Sequence, residues 1–372
     1  MKTVQILTHP IIGNYGGILQ NYALSLCLTN IGVYNNLQMR ESNLVNRYKS
    51  NRSLYWKCRV ISFLKRYLKF NYNVSVFELE KVGKAFYLLF GDKQVQKKSE
   101  FVDSGRIPVV VGSDQVWRKM YVDTEGGICF YFLHLLTSEI RAQSISYAAS
   151  FGSDEWEGSP EETEECGRLL REFKAVSVRE HSGVKICKDV FGVDAVQMPD
   201  PTLLLHPEDY GKIIDSEKTW LPEGKYVAAY VLDETAGKAE LLQNSAKSVD
   251  MQLQHLMPHA DAKKGRDRFP ISVPQWLRLI RDCEYFITDS FHGCVFAIIF
   301  NKPFVCLGNE GRGNARFDTL LGTFGLEDRM ITDATPEKVL KVLNTPIDWA
   351  RVNAIHDAER ERGINFLKEN LT

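Results

Sequence analysis

The chain has 372 residues, 44% of them hydrophobic and 25% charged, with a formal net charge of -1. That length exceeds what one hydrophobic core normally serves, so two domains are expected, and the composition excludes a largely disordered protein. The near-neutral balance gives no electrostatic basis for nucleic-acid binding, and no apolar run approaches the roughly 18 residues of a membrane-spanning helix.

Val4 to Leu7 reads as a first strand, entered directly from Met1 without the apolar core and cleavage site of a signal peptide. A turn with three glycines follows (Gly13-Asn14-Tyr15-Gly16-Gly17), then a helix from about Ile18 to Asn30 that Gly32 ends. The stretch from Ser42 to Phe77 holds no acid and eight Lys or Arg, interleaved with Tyr48, Tyr55, Trp56, Phe63, Tyr67 and Phe70. It suits either an anionic membrane surface or a diphosphate-linked lipid, or else an amphipathic helix with its aromatics turned inward.

Pro108 to Val111 is a buried strand opening into Gly112-Ser113-Asp114-Gln115, and Ser144 to Ala148 is another, followed by Ser150-Phe151-Gly152. Ser159-Pro160-Glu161-Glu162 carries a serine cap, a proline at the first helical position and acid in the first turn, which marks a helix start. Ala175 to Val178 is a strand ending at Arg179, before a helix over about Ser182 to Phe191. The double proline of Met198-Pro199-Asp200-Pro201 holds extended backbone. A domain boundary is placed shortly after it, giving domains at 1–205 and 206–345 and a charged C-terminal helix, 346–372, packing back toward the first.

The second series runs through the strand from Tyr226, a helix near Lys238 to Ser248, the strand Leu253 to Met257 and a helix near Pro274 to Arg281. It continues with the strand Tyr285 to Thr288, an apolar helix Phe291 to Phe300 and the strand Phe304 to Leu307. Short apolar runs alternating with helical patterns predict an α/β fold with mainly parallel sheets. The eight cysteines (27, 58, 129, 166, 187, 283, 294 and 306) form no CxxC pair and mostly lie in apolar runs. This suits reduced thiols in a cytoplasmic protein, and no His/Cys/Asp/Glu grouping has metal-ligand spacing.

Ligands in parallel α/β folds bind beyond the C-terminal strand ends, which selects Gly13 to Gly17, Gly112 to Gln115, Ser150 to Gly152, Arg179, Asp289 to Gly293 and Gly308 to Arg316. The turn Asp289-Ser290-Phe291-His292-Gly293 places polar groups at a helix N-terminus, where backbone N–H groups favour an anion. His292 there reads either as a proton donor or as a satisfied interior histidine beside a helix cap. Arg179 reads as a carboxylate or phosphate clamp, or as one half of a surface ion pair with Glu180 or a neighbour. Asp114 suits sugar hydroxyls or an Asx-turn, and Arg312 and Arg316 suit an anionic ligand. Gly13 to Gly17 matches neither GxGxxG nor a P-loop.

Six ordered motifs carry a resemblance. They are Gly13-Asn14-Tyr15-Gly16-Gly17-Ile18-Leu19-Gln20, Val111-Gly112-Ser113-Asp114-Gln115-Val116-Trp117, Ile145-Ser146-Tyr147-Ala148-Ala149-Ser150-Phe151-Gly152, Val176-Ser177-Val178-Arg179-Glu180, Asp200-Pro201-Thr202-Leu203-Leu204 and Ile287-Thr288-Asp289-Ser290-Phe291-His292-Gly293. Together they resemble the polysaccharide pyruvyl transferase family, in the branch common in gut bacteria, over about residues 4 to 330. The resemblance implies two Rossmann-like domains facing a cleft, as in the GT-B glycosyltransferases. It also implies transfer of a pyruvyl group from phosphoenolpyruvate to two hydroxyls of a sugar or lipid-linked oligosaccharide, as a cyclic ketal, with no further cofactor.

In that reading His292 is catalytic, and Arg179, Ser290, Gly293, Arg312 and Arg316 bind the donor. Asn14, Tyr15, Gly16, Gly17, Ser113, Asp114 and Gln115 bind the acceptor, and 42–77 makes peripheral contact with the inner face of a membrane. Many members carry Arg-Leu-His where this chain has Ser290-Phe291-His292, so the donor's charge falls to Arg312 or Arg316. The same architecture also suits a glycosyltransferase using a nucleotide sugar, or a non-catalytic glycan-binding protein.

Overall fold

The computed structural model describes residues 2–9, 14–39, 107–122, 127–257, 271–308 and 314–372. Gly13, Arg312 and the basic, aromatic stretch 42–77 lie outside the described residues.

In the first half, β1 (Thr3–Thr8), β2 (Tyr34–Met39), β3 (Val109–Val111) and β4 (Ile145–Ser146) form a parallel sheet in the order β2-β1-β3-β4. The parallel pair β5 (Ser177–Val178) and β6 (Val196–Gln197) joins it through bridges from Ile145 to Ala175 and from Ala149 to Val178. Val4, Ile6, Leu7 and all three valines of β3 are buried, as continuous apolar strands between helical layers require.

Among the described residues of this half, three helices of eight or more residues pack: α1 (Tyr15–Asn30), α2 (Pro160–Leu170) and α3 (His181–Asp189). The cap of α1 is Asn14, whose side chain accepts from Gly17 N at 3.1 Å. Gly16 and Gly17 therefore belong to the first helical turn, and the helix starts three residues before the expected Ile18. Ser159 caps α2 in a reciprocal box with Glu162, with Pro160 at the first position, as its sequence signature predicts.

In the second half, β7 (Tyr226–Tyr230), β8 (Gln252–His255), β9 (Tyr285–Thr288), β10 (Phe304–Leu307) and β11 (Met330–Ile331) form a parallel sheet ordered β11-β10-β9-β7-β8. Its helices are α4 (Pro207–Ile214), α5 (Ala236–Ser248), α6 (Val273–Arg281), α7 (Phe291–Ile299), α8 (Ala315–Phe324), α9 (Pro336–Asn344) and α10 (Trp349–Leu371). Every residue of α7 is buried, which explains why it is apolar on all sides.

In both sheets the first strand of the half has its successors on opposite sides: β2 and β3 flank β1, and β8 and β9 flank β7. Connections that leave in opposite directions open a crevice at the C-terminal ends of those central strands, the place where such folds bind ligands. The halves touch there. Tyr15, in the first turn of α1, stacks on Trp276 of α6 at 5.4 Å, and its hydroxyl donates to Ile271 O at 2.7 Å.

Helix α10 is bonded to residues of the first half. Lys174 Nζ donates to Asn370 O at 2.6 Å, His356 Nε2 to Leu203 O at 3.0 Å, and Arg360 Nε to Leu204 O at 3.0 Å, while Arg362 reaches Gln197 O. The backbone of α10 lies close enough that a Cβ on Gly363 would stand 2.4 Å from Tyr147 Oη and 2.6 Å from Leu204 Cδ2. Gly363→Ala is therefore expected to cost about 1–3 kcal/mol through overpacking, measured as a lower midpoint of guanidinium unfolding.

Candidate active site

The strand β9 delivers its turn through a fixed set of bonds. Thr288 Oγ1 donates to Tyr230 O at 2.7 Å and accepts from Ser290 N at 3.0 Å. A Cβ on Gly293 would stand 2.2 Å from that same oxygen, so glycine lets the start of α7 lie against the strand. Asp289 is wholly engaged: it accepts from Leu232 N at 2.6 Å, Asp233 N at 3.2 Å and Lys238 Nζ at 2.8 Å. It fastens the loop after β7 to the turn after β9. Ser290 caps α7, accepting from Gly293 N at 3.4 Å. Of the turn's side chains, Phe291 and His292 reach across to the first half.

His292 meets two elements there. Its ring lies against the start of α1, so closely that a Cβ on Gly16 would stand 2.0 Å from His292 Nδ1. Its Nε2 is 3.6 Å from Asp200 Oδ2 and has no hydrogen-bond partner among the described residues. Asp200 sits in the turn beyond β6, fully buried, and collects the surrounding donors. Its Oδ2 accepts from Gln20 Nε2 at 2.6 Å and Arg179 Nη1 at 2.8 Å, and its Oδ1 from Thr202 N at 3.0 Å and Thr202 Oγ1 at 2.6 Å. Burial pushes the Asp200 carboxyl up, but the His292 imidazole, the Arg179 guanidinium and the Thr202 hydroxyl together hold it well below the usual carboxylate range.

Arg179 is 3% exposed, which replaces the surface ion pair that its sequence context allowed. Glu180 turns away, accepting from Phe151 N at 2.7 Å and Gly152 N at 3.1 Å. The guanidinium of Arg179 lies over the Phe291 ring at 4.6 Å, and its Nη2 is 3.8 Å from Asp114 Oδ1. Its Nε and Nη2 have no hydrogen-bond partner among the described residues. Arg316, in the first turn of α8, lies 5.7 Å from the centre of the same ring. Burial, then the like charge of Arg179, pushes Arg316 down to about 10.

The remaining sequence-selected residues fall around this cluster. Asn14 is exposed, and its Nδ2 donates to Asp114 Oδ2 at 3.3 Å. Asp114 has a left-handed backbone, φ +77°, and also accepts from Gln115 N at 2.9 Å, while Val116 N bonds its backbone oxygen, so the side chain does not form the Asx-turn its sequence allowed. Burial pushes its carboxyl up, and the charges of Arg179, His9 and His292 outweigh that to leave it below its ordinary value. Ser113 Oγ donates to Ala148 O at 2.9 Å and Gln115 Oε1 accepts from Arg118 Nη1 at 3.1 Å, so both support the loop. Tyr15 serves the contact with α6, and Gly17 serves the cap.

Asp200, Gln20 and Phe291 were not chosen from the sequence as site residues. Asp200 stood in a recognised motif, but Asp-Pro-Thr signals a local turn as readily as a buried charge. Among the described residues, no group of three or more His, Cys, Asp or Glu side chains could hold a metal ion. No helix among them is long and apolar enough to cross a membrane.

Two parallel Rossmann-like halves, meeting at their strand ends over a buried histidine and two arginines, define an α/β protein of the GT-B-like class. The sequence profile of the polysaccharide pyruvyl transferase family matches residues 14–311. The chain belongs to that family, and it is a transferase. No curated protein sequence matches it significantly. Among solved structures it is similar to the N-terminal domain of a Candida albicans trehalose-6-phosphate phosphatase, with a TM-score of 0.51 at 9% identity, covering 100% of this chain and 98% of the other. Staphylococcus aureus MnaA with UDP gives a TM-score of 0.48 at 13% identity over 99% and 96% of the two chains. The UDP-GlcNAc 2-epimerase of Methanocaldococcus jannaschii gives 0.47 at 14% identity over 94% and 93%.

Two expectations follow from the geometry. Gly16→Ala must push the His292 ring from its place, and a crystal structure of that variant will show the imidazole rotated or withdrawn. Asp114 and Asp200 both titrate below their ordinary range, so their stabilisation is present above about pH 4 and is lost as pH falls below it. The melting temperature is therefore expected to decline steeply on acidification from about pH 4, followed by calorimetry.

Proposed function

We propose that this protein transfers the pyruvyl group of phosphoenolpyruvate to two hydroxyls of a sugar, in a polysaccharide or its precursor, as a cyclic ketal with release of phosphate. The observation that supports this most is Arg179: a buried guanidinium with two nitrogens lacking a hydrogen-bond partner among the described residues, beside His292 and sharing the Phe291 ring with Arg316. Buried donors without partners are uncommon, and a ligand that accepts their hydrogen bonds accounts for them. Phosphoenolpyruvate brings a carboxylate and a phosphate, both matched to guanidinium geometry. The chain has no arginine at Ser290, and Arg316 supplies the second positive charge from α8, with Arg312 assigned the same task.

In this mechanism His292 protonates the methylene carbon of the bound donor. A sugar hydroxyl then attacks the adjacent carbon and returns its proton to the ring. The ring passes that proton to the departing phosphate, and the second hydroxyl attacks the same carbon and gives its own proton to the ring, which closes the ketal. Asn14, exposed at the rim, and Asp114, buried beside it, hold the acceptor's hydroxyls, and Ser113 and Gln115 keep that loop in place. Residues 42–77 bring a lipid-linked acceptor to the cleft from the inner membrane face.

Phosphorus NMR of enzyme, phosphoenolpyruvate and a panel of glycans tests the reading: inorganic phosphate is expected only when the right acceptor is present. Consumption of a nucleotide sugar instead would identify a glycosyltransferase, and silence with every donor a binding protein. His292→Gln is expected to lower kcat by about 100-fold or more with donor affinity retained. Arg316→Met is expected to raise the KM for phosphoenolpyruvate about tenfold, the loss of one charge-assisted hydrogen bond, measured by steady-state kinetics.

A further inference from the structure

An imidazole acid has two nitrogens, and the neighbours of each decide which one can reach a substrate. In His292, Nε2 is turned to Asp200 at 3.6 Å, in a place closed to water. Nδ1 lies on the other edge, beside Gly16 at the start of α1. The Asp200 carboxylate cannot turn freely, because Thr202 binds Oδ1 twice while Gln20 and Arg179 bind Oδ2. The turn that carries it is held in its own place by α10, through Leu203 O and Leu204 O. One carboxylate oxygen thus faces the Arg179 guanidinium and the His292 ring at once.

We propose that Asp200 is the positioning residue of this site: it holds Nε2–H of His292 and the guanidinium of Arg179 as one charged unit, so that Nδ1 is the nitrogen that exchanges the proton with the donor. The inference deepens the proposed pyruvyl transfer and rests on it for the identity of the proton acceptor. In the step, the Nδ1–H bond breaks with its electron pair left on the ring, and a C–H bond forms at the methylene carbon. Asp200 stays ionised throughout. The attacking hydroxyl then gives its proton to Nδ1 and restores the imidazolium. Gly16 is required for the ring to sit there at all, since a Cβ on it would stand 2.0 Å from Nδ1, 2.2 Å from Cγ and 2.6 Å from Cε1.

The charged groups around the ring are Asp200 and Asp114, with Arg179 behind Asp200, His9 behind Asp114 and Arg316 across Phe291. Asp200 is the nearest carboxylate to the ring, so its loss should move the pH dependence more than any other change in the set. Asp200→Asn keeps the shape and removes the charge. It is expected to lower kcat by about 100-fold or more and to move the alkaline limb of the kcat/KM profile to lower pH, with partial return of both in Asp200→Glu. A purely structural Asp200 would lower the melting temperature and leave that limb where it is, which would overturn the proposal.

The ring itself provides a readout that needs no substrate. Nitrogen-15 NMR of the whole protein, with the His292 signals assigned by their absence from His292→Gln, is expected to show the neutral ring protonated on Nε2. Protonation on Nδ1 would overturn the assignment, even if Asp200→Asn fails to fold. If phosphoenolpyruvate is never consumed but the ring carries Nε2–H, pyruvyl transfer falls while the Asp200–His292 arrangement stands.

Discussion

The buried carboxylate of Asp200 is the constraint around which the site is arranged. A carboxylate removed from water is tolerable only when its lone pairs are filled and a positive charge lies near. Here Gln20 comes from α1, Arg179 from the end of β5 and Thr202 from the same turn, and each must be in place for the charge to be buried. Those bonds fix the first half's strand ends relative to α1. His292 then enters from the second half and finds its place beside both Asp200 and Gly16.

The second half presents His292 through rigid parts. The turn after β9 is held at Thr288, Asp289 and Ser290, and α7 behind it is wholly buried among apolar residues. Side chains that carry chemistry are located well only when the elements bearing them cannot shift, and a helix buried on all sides meets that condition. The Tyr15–Trp276 stack and the bonds from α10 to residues 197–204 tie the halves together near the same place.

Membership of the polysaccharide pyruvyl transferase family and the site geometry bear on different questions. The family supplies the class of reaction, and the geometry says which side chains of this chain are positioned for it. Where many members carry an arginine, Ser290 closes the first turn of α7 instead, and a guanidinium arrives on Phe291 from α8. In the proposed donor binding that guanidinium takes the arginine's place, because an anionic ligand responds to the position of the charge, whichever segment delivers it.

Much of the fold was legible from local pattern. Strands β9 and β10 lie at the residues that their apolar runs marked, and the Ser159 cap and its proline start α2 as the spacing requires. Those features depend on neighbours in the chain, so the sequence by itself determined them, along with the alternation that makes the sheets parallel and the turn at Asp289 to Gly293. What it left open were the partners of its polar residues. Arg179 read equally as a surface ion pair, Tyr15 as a ligand contact and Asp200 as part of an extended, proline-bounded stretch. The tertiary structure decided all three, because it brings together groups as distant as Gln20 and Asp200, 180 positions apart, and only in that enclosure does each polar atom have to find a partner. The role of Gly16 was hidden for the same reason: its missing side chain is explained by a histidine that the chain supplies from the other half.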